Sequence, residues 1–136
     1  MKVVVDASAV AASILEDEIF EHAEALLMLI GEGNAIATSI FWDEIRNVLL
    51  QNERRGRLSV GETEELLRDL RVSAPMISNQ AGDDAVIALA RKYDLSAYDA
   101  IYGVTAQKHH APLATLDKRL IAAGEAGAFT LWAPGP

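Results

Sequence analysis

Two rhythms of apolar residues alternate along the chain. Short β-branched or apolar runs predict strands at Val3-Val4-Val5, at about 35–38, at Leu113-Ala114-Thr115 and at Phe129-Thr130-Leu131. Between them, apolar positions recur every three or four residues, which predicts helices at about 8–15, 18–30, 41–55, 59–71, 80–92, 96–109 and 117–123. In the second helix the repeating positions are Phe20, Ala23, Leu27 and Ile30; Gly31 and Gly33 stop it. Gly56 closes the 41–55 helix, and Ser59 followed by Glu62 forms a capping-box pattern for the next. The stretch Val72–Ile77 contains Pro75, whose missing N–H confines it to an interrupted or edge strand.

Strands that alternate with helices imply an α/β fold, with a parallel sheet covered on both faces. In such folds ligands bind beyond the carboxyl ends of the strands. A length of 136 residues suits one domain, 1–136, with one core, and the tail Ala133-Pro134-Gly135-Pro136 is expected to be disordered. A hydrophobic share of 51%, in short interrupted runs, excludes a disordered chain.

Charge complicates any role with nucleic acid. Twelve basic and twenty acidic residues give a net charge of −8, which offers no bulk attraction for phosphates. The distribution is uneven, however. Lys2 is the sole base within residues 1–45, whereas Arg46, Arg54, Arg55, Arg57, Arg68 and Arg71 crowd the next stretch. These arginines make either a local basic face or an ordinary solvated helix surface.

The chain has no cysteine, so it has neither a disulfide framework nor a thiolate metal site. No apolar run approaches the roughly 18 residues of a membrane span. Asp6 and Glu16-Asp17-Glu18 break up the only stretch that resembles a signal peptide. A cytoplasmic location without membrane association is the expectation.

Four carboxylates stand out by position. Asp6 and Asp117 each follow a predicted strand, and each also suits a helix N-cap. Asp99, three residues after Ser96, completes an acidic variant of the capping box; a helix N-terminus also favours the ionised form that a metal ligand needs. Glu44 lies one turn before Val48, at the edge of the inward stripe Phe41, Ile45, Val48 and Leu49, while Asp43 points toward solvent. Asn47 is placed to hydrogen-bond Glu44; the alternative is a partly exposed glutamate favoured by the helix dipole.

Carboxylates that share a pocket repel, so protonation or a cation must neutralise them. Hard oxygen ligands select Mg²⁺ or Mn²⁺, which retain waters and bind phosphates. His22, His109 and His110 fit no zinc spacing and are expected to be solvated. Gly31-Glu32-Gly33 lacks the rest of a dinucleotide or P-loop signature, and Trp42 and Trp132 suit core or interface positions.

Four segments in this order resemble the PIN domain, and within it the toxin nuclease of VapBC-type toxin–antitoxin pairs. They are Val4-Val5-Asp6-Ala7-Ser8, Glu44-Ile45-Arg46-Asn47-Val48-Leu49, the 95–102 stretch Leu95-Ser96-Ala97-Tyr98-Asp99-Ala100-Ile101-Tyr102, and the 113–120 stretch Leu113-Ala114-Thr115-Leu116-Asp117-Lys118-Arg119-Leu120. The resemblance spans essentially the whole chain. It implies a Rossmann-like three-layer α/β/α fold, with a central parallel sheet of about four to five strands. It further implies an endoribonuclease dependent on Mg²⁺ or Mn²⁺, with Asp6, Glu44, Asp99 and Asp117 as the acidic, metal-holding quartet. Ser8 and Thr115 match hydroxyl positions near the metals, and Asn47 matches a supporting polar position.

The implied partners are an RNA substrate such as tRNA or rRNA, a cognate antitoxin protein and a second copy of the chain. Arg46, Arg54, Arg55, Lys118 and Arg119 are the candidate RNA-backbone contacts. Thr38 replaces a proline that often opens the segment before the glutamate in that family, a departure that bears on loop geometry. Two alternatives stand beside this reading: phosphatase-type phosphoryl transfer with Asp6 as nucleophile, and a non-catalytic PIN-like binding module in which the acids are only caps.

Overall fold

The computed structural model describes residues 1–15 and 20–135. The chain runs through β1 (Val3–Val5), α1 (Ala7–Ile14), α2 (Ala23–Gly31), β2 (Ala35–Thr38), α3 (Phe41–Arg54) and α4 (Val60–Val72). It continues with β3 (Met76–Ser78), α5 (Asp83–Tyr93), α6 (Ala97–His109), β4 (Leu113–Ala114) and α7 (Lys118–Glu125). The strands pair in parallel in the order β3-β2-β1-β4.

Alternation along the strands explains why every β1 side chain is buried. Val3 and Val5 join Ala35, Ala37 and Ala114 on one face of the sheet, packed under residues of α1 to α4 such as Val10, Leu26, Phe41 and Leu70. Val4 joins Ile36 and Leu113 on the other face, under Leu89 of α5, Tyr102 of α6 and Leu120 of α7. Two cores back to back across one sheet are the expected three-layer α/β/α architecture. Fully burying each valine or leucine contributes roughly 1.5–3 kcal/mol, so β1, sealed on both faces, anchors the centre.

Local chemistry sets the element ends. Ser59 and Glu62 form the predicted capping box, with reciprocal bonds of 3.1 and 3.0 Å. Pro75 immediately precedes β3, which lies at the sheet edge as its lost donor requires. α5 starts at Asp83 after Gly82, later than the predicted 80, because Gln80 N turns back to Ser78 Oγ at 3.4 Å. α2 starts at Ala23, and residues 18 and 19 of the helix predicted there lie outside the described residues, as does Pro136 of the tail.

Two strand predictions shrink. β4 stops at Ala114 because Thr115 turns its hydroxyl to Asp6 and Asp117. The final strand reduces to a single parallel bridge between Leu131 and Leu113, pinned where Leu131 packs over Gly124. Among the described residues no helix is long and apolar enough to cross a membrane. Two of the three histidines are not simply solvated: His22 meets Phe20 and Trp132 edge-on, and His109 Nε2 lies 2.8 Å from Ser78 Oγ, whereas His110 is exposed as expected. Trp42 packs edge-on with Phe41 beneath the Arg71 guanidinium, 3.6 Å from its ring centre.

Candidate active site

Asp6 leaves β1 at its carboxyl end and is only 4% exposed. Its Oδ1 caps α1 by accepting from Ala9 N at 3.0 Å, and it also accepts from Ser8 Oγ at 2.7 Å. Its Oδ2 accepts from Thr115 Oγ1. Both hydroxyls then tie the β4 end to the same point: Leu116 N donates to Ser8 Oγ at 2.9 Å, and Asp117 N donates to Thr115 Oγ1 at 3.0 Å. Burial pushes Asp6 up from its ordinary 3.8 to about 6, against the lowering effect of the bonds from Thr115, Ala9 and Ser8; the charge of Glu44 adds to the rise.

Glu44 is half-buried on the first turn of α3, and its Oε1 accepts a 2.7 Å hydrogen bond from the Tyr102 hydroxyl. This bond corrects the expectation for Asn47, which is exposed three residues on, while a buried tyrosine of α6 holds the carboxylate instead. Burial raises the Glu44 pKa, opposed by the Tyr102 bond and reinforced by Asp99, Asp117 and Asp43. Tyr102 is raised in turn, by burial first and then by Glu44. The buried Thr38 hydroxyl oxygen neighbours Tyr102 but lies outside hydrogen-bond geometry.

Asp99 occupies the first turn of α6, where Ser96 Oγ accepts from Asp99 N at 3.1 Å. Burial and then the charge of Asp117 raise its pKa, opposed by Ser96 and Arg119. Asp117 caps α7 through Oδ1, accepting from Arg119 N at 2.9 Å and Leu120 N at 3.0 Å. The cap and site readings of these acids are therefore compatible, since capping by Asp6 and Asp117 does not exhaust their acceptor oxygens.

The four acids converge electrostatically: Asp6 senses Glu44, Glu44 senses Asp99 and Asp117, and Asp99 senses Asp117. They stand as a loose group. Among the described residues no three Asp, Glu, His or Cys side chains are close enough to hold an ion as they are. A groove of about 510 Å³ opens beside them, lined by Ile40, Asp43, Glu44, Asn47, Ser96, Tyr98 and Asp99. Another cavity, of about 330 Å³ between α1 and α4, is remote from these acids.

The predicted cations divide. Lys118 and Arg119 directly follow Asp117 on the first turn of α7, and Arg119 Nη1 reaches the Asp94 carbonyl at 3.5 Å. Arg46 is tied to Asp43 at 2.6 Å in an exposed pair. Arg54 and Arg55 sit at the far end of α3, about 15 Å along the helix from Glu44, and are not brought to the groove. Sequence reasoning missed Tyr102 as a site residue. Its signal was the spacing of three from Asp99, which puts both on one helix face.

A parallel sheet sealed by helices on both faces, with acids gathered beyond its strand ends, is the architecture of a known class. The chain belongs to the PIN-domain family, which it matches over residues 3–126. It is 32% identical over 123 residues to Ribonuclease VapC3 from Pyrobaculum aerophilum, covering 88% of this chain and 92% of that protein. PAE2754 from the same organism shares the fold with a TM-score of 0.71 at 24% identity, over 90% of this chain and 79% of that one. A toxin–antitoxin complex from Klebsiella pneumoniae contains the same fold, with a TM-score of 0.58 at 21% identity over 89% and 91% of the two chains.

Proposed function

We propose that this protein is a divalent-metal-dependent endoribonuclease and the toxin of a type II toxin–antitoxin pair, acting in the cytoplasm as a homodimer held in check by a cognate antitoxin. The observation that carries the reading is the mutual electrostatic strain of four acids at one end of the sheet, in a chain similar to Ribonuclease VapC3 over most of its length.

The donor set suits a hard divalent ion in kind, and the side chains must close in to hold one. All four groups are carboxylates, three have raised pKa values, and gathering their charges requires a counter-charge. Asp6 accepts hydrogen bonds from Ser8, Ala9 and Thr115, which by count leaves one lone pair on Oδ2 for a ligand role. Asp6, Glu44, Asp99 and Asp117 would hold Mg²⁺ or Mn²⁺. When bound, such an ion supplies an activated water and stabilises the charge that develops in an in-line phosphodiester displacement.

The remaining work falls to the chain. Ser8 and Thr115 fix the Asp6 carboxylate, and Tyr102 orients Glu44 by donating its hydroxyl proton. Lys118 and Arg119, beside Asp117, offer the RNA backbone a local positive charge. Phosphoryl transfer to Asp6 loses support, because a carboxylate that is 4% exposed and hydrogen-bonded through both oxygens is a poor nucleophile.

RNA cleavage in Mg²⁺ by wild type, Asp6→Asn and Asp99→Asn tests the reading. Each variant is expected to lose at least about a hundredfold in rate, the upper end of what outer-shell partners alone cost. Equal cutting by all three proteins, or full activity in EDTA, sinks the metal-site mechanism.

A further inference from the structure

The groove beside the acids poses a physical problem for a nucleic-acid substrate. Its wall carries Asp43, Glu44 and Asp99, and the one arginine beside Asp43 is already paired to it. Phosphate attraction there is weak until a cation is bound. Lys118 and Arg119 lie outside this lining, so a contact on the wall itself is needed to hold the substrate in register, and the wall holds a candidate.

Tyr98 lines the groove one residue before Asp99, on the first turn of α6, and is 64% exposed. Among the described residues its ring makes no aromatic or cation contact and its hydroxyl no hydrogen bond, so nothing within the fold explains an aromatic side chain at this position. The other tyrosines contrast with it. Tyr102 is buried and bonded to Glu44, and Tyr93 packs against the second core with Lys92 over its ring. The apolar Leu116 is likewise 40% exposed and immediately precedes Asp117, the acid coupled to Asp99. Both uncovered side chains adjoin acids of the site in sequence, and Tyr98 stands on the groove wall itself.

We infer that Tyr98 is a stacking platform for an unpaired base beside the scissile phosphate. This inference rests on the ribonuclease reading and adds a substrate-contact residue to it. An aromatic ring attracts every base through its π-face without needing positive charge, so it suits an acidic groove. A base inside a duplex keeps its faces covered by its neighbours and cannot use the ring. The ring thereby selects for strand state rather than for sequence.

The test compares wild type, Tyr98→Phe and Tyr98→Ala in a calcium buffer. The probe is an unstructured oligonucleotide RNA carrying one 2-aminopurine, offered alone or annealed to its complement. Wild type and Tyr98→Phe are expected to quench the 2-aminopurine and to bind the single strand alike. Tyr98→Ala is expected to bind it about five- to a hundredfold more weakly and to lose the quench, with duplex binding unchanged in all three. Unaltered binding and quench in Tyr98→Ala overturn the platform, as does an equal loss in Tyr98→Phe. A Tyr98→Ala protein that changes from dimer to monomer in sedimentation also overturns it, because the ring then serves a protein contact. Circular dichroism confirms that the variants are folded. If wild type neither binds nor cuts any RNA, the ribonuclease reading itself has failed; if wild type cuts and Tyr98→Ala matches it, only the platform has.

Discussion

Asp6 serves two demands that pull in opposite directions. As a cap it must be ionised to hold Ala9 N well, yet burial pushes its pKa to about 6. A carboxyl whose folded pKa lies above its ordinary 3.8 binds its proton more tightly when folded. In metal-free protein it therefore contributes stability that is fully present below about pH 4 and is lost as pH rises through 6. The two values differ by about two units, so ionised Asp6 costs on the order of 2–3 kcal/mol at neutral pH. Asp6→Asn, in which the amide can donate to the Thr115 hydroxyl, is expected to be more stable than wild type by about that amount at pH 7 in EDTA. The advantage should vanish by pH 4, and urea titrations across the range decide; a constant gap at all pH values refutes the assignment. Sequence exposed this residue through its place after a valine run, and exposed Glu44 through its place at the rim of an apolar stripe. Tyr102 stayed hidden because a tyrosine among core positions looks like packing, and only a third dimension shows where its hydroxyl points.

Elements form here from local signals except where a side chain is claimed by something distant. The capping box at Ser59 and the edge position of β3 after Pro75 were both legible, since each cause lies within a few residues of its effect. The early end of β4 was not, because Thr115 leaves the strand to meet Asp6, 109 residues away in sequence. The same contrast separates two helical glycines. Gly61 in α4 has open space, with only Ser59 Oγ at 3.9 Å from a built Cβ, so Gly61→Ala is expected to stabilise by up to about 1 kcal/mol. Gly124 in α7 faces Leu131, whose Cγ would lie 2.6 Å from a Cβ there. Displacing Leu131 from its bridge to Leu113 costs roughly 1–3 kcal/mol, more than the helix gains, so Gly124→Ala should be destabilising. Denaturant midpoints that move the same way for both variants would refute this account of the final bridge.

At the scale of the whole molecule, the sheet gathers what the chain disperses. Asp6, Glu44, Asp99 and Asp117 come from four separate segments, and their charges converge because β1, β2 and β4 lead into three of them while α6 begins beside them with Asp99. The net charge of −8 worsens the repulsion among them, so the metal-free fold carries a standing electrostatic cost where the four acids meet. A cation that binds the folded state alone must then raise its stability by mass action, about 2.7 kcal/mol at a hundredfold excess over its dissociation constant. For a domain of this size each kcal/mol moves the midpoint by roughly 3–5 °C, so saturating Mn²⁺ is expected to raise Tm by about 10 °C. Asp99→Asn removes one proposed ligand and one repulsive charge together, so its metal-free Tm should equal or exceed that of wild type while its response to Mn²⁺ largely disappears. Sodium chloride at matched ionic strength supplies screening without coordination and should reproduce only a small part of the wild-type shift. Differential scanning calorimetry on both proteins in both salts separates the cases. If sodium chloride matches Mn²⁺, or Asp99→Asn responds as wild type does, the four acids share a field but not an ion.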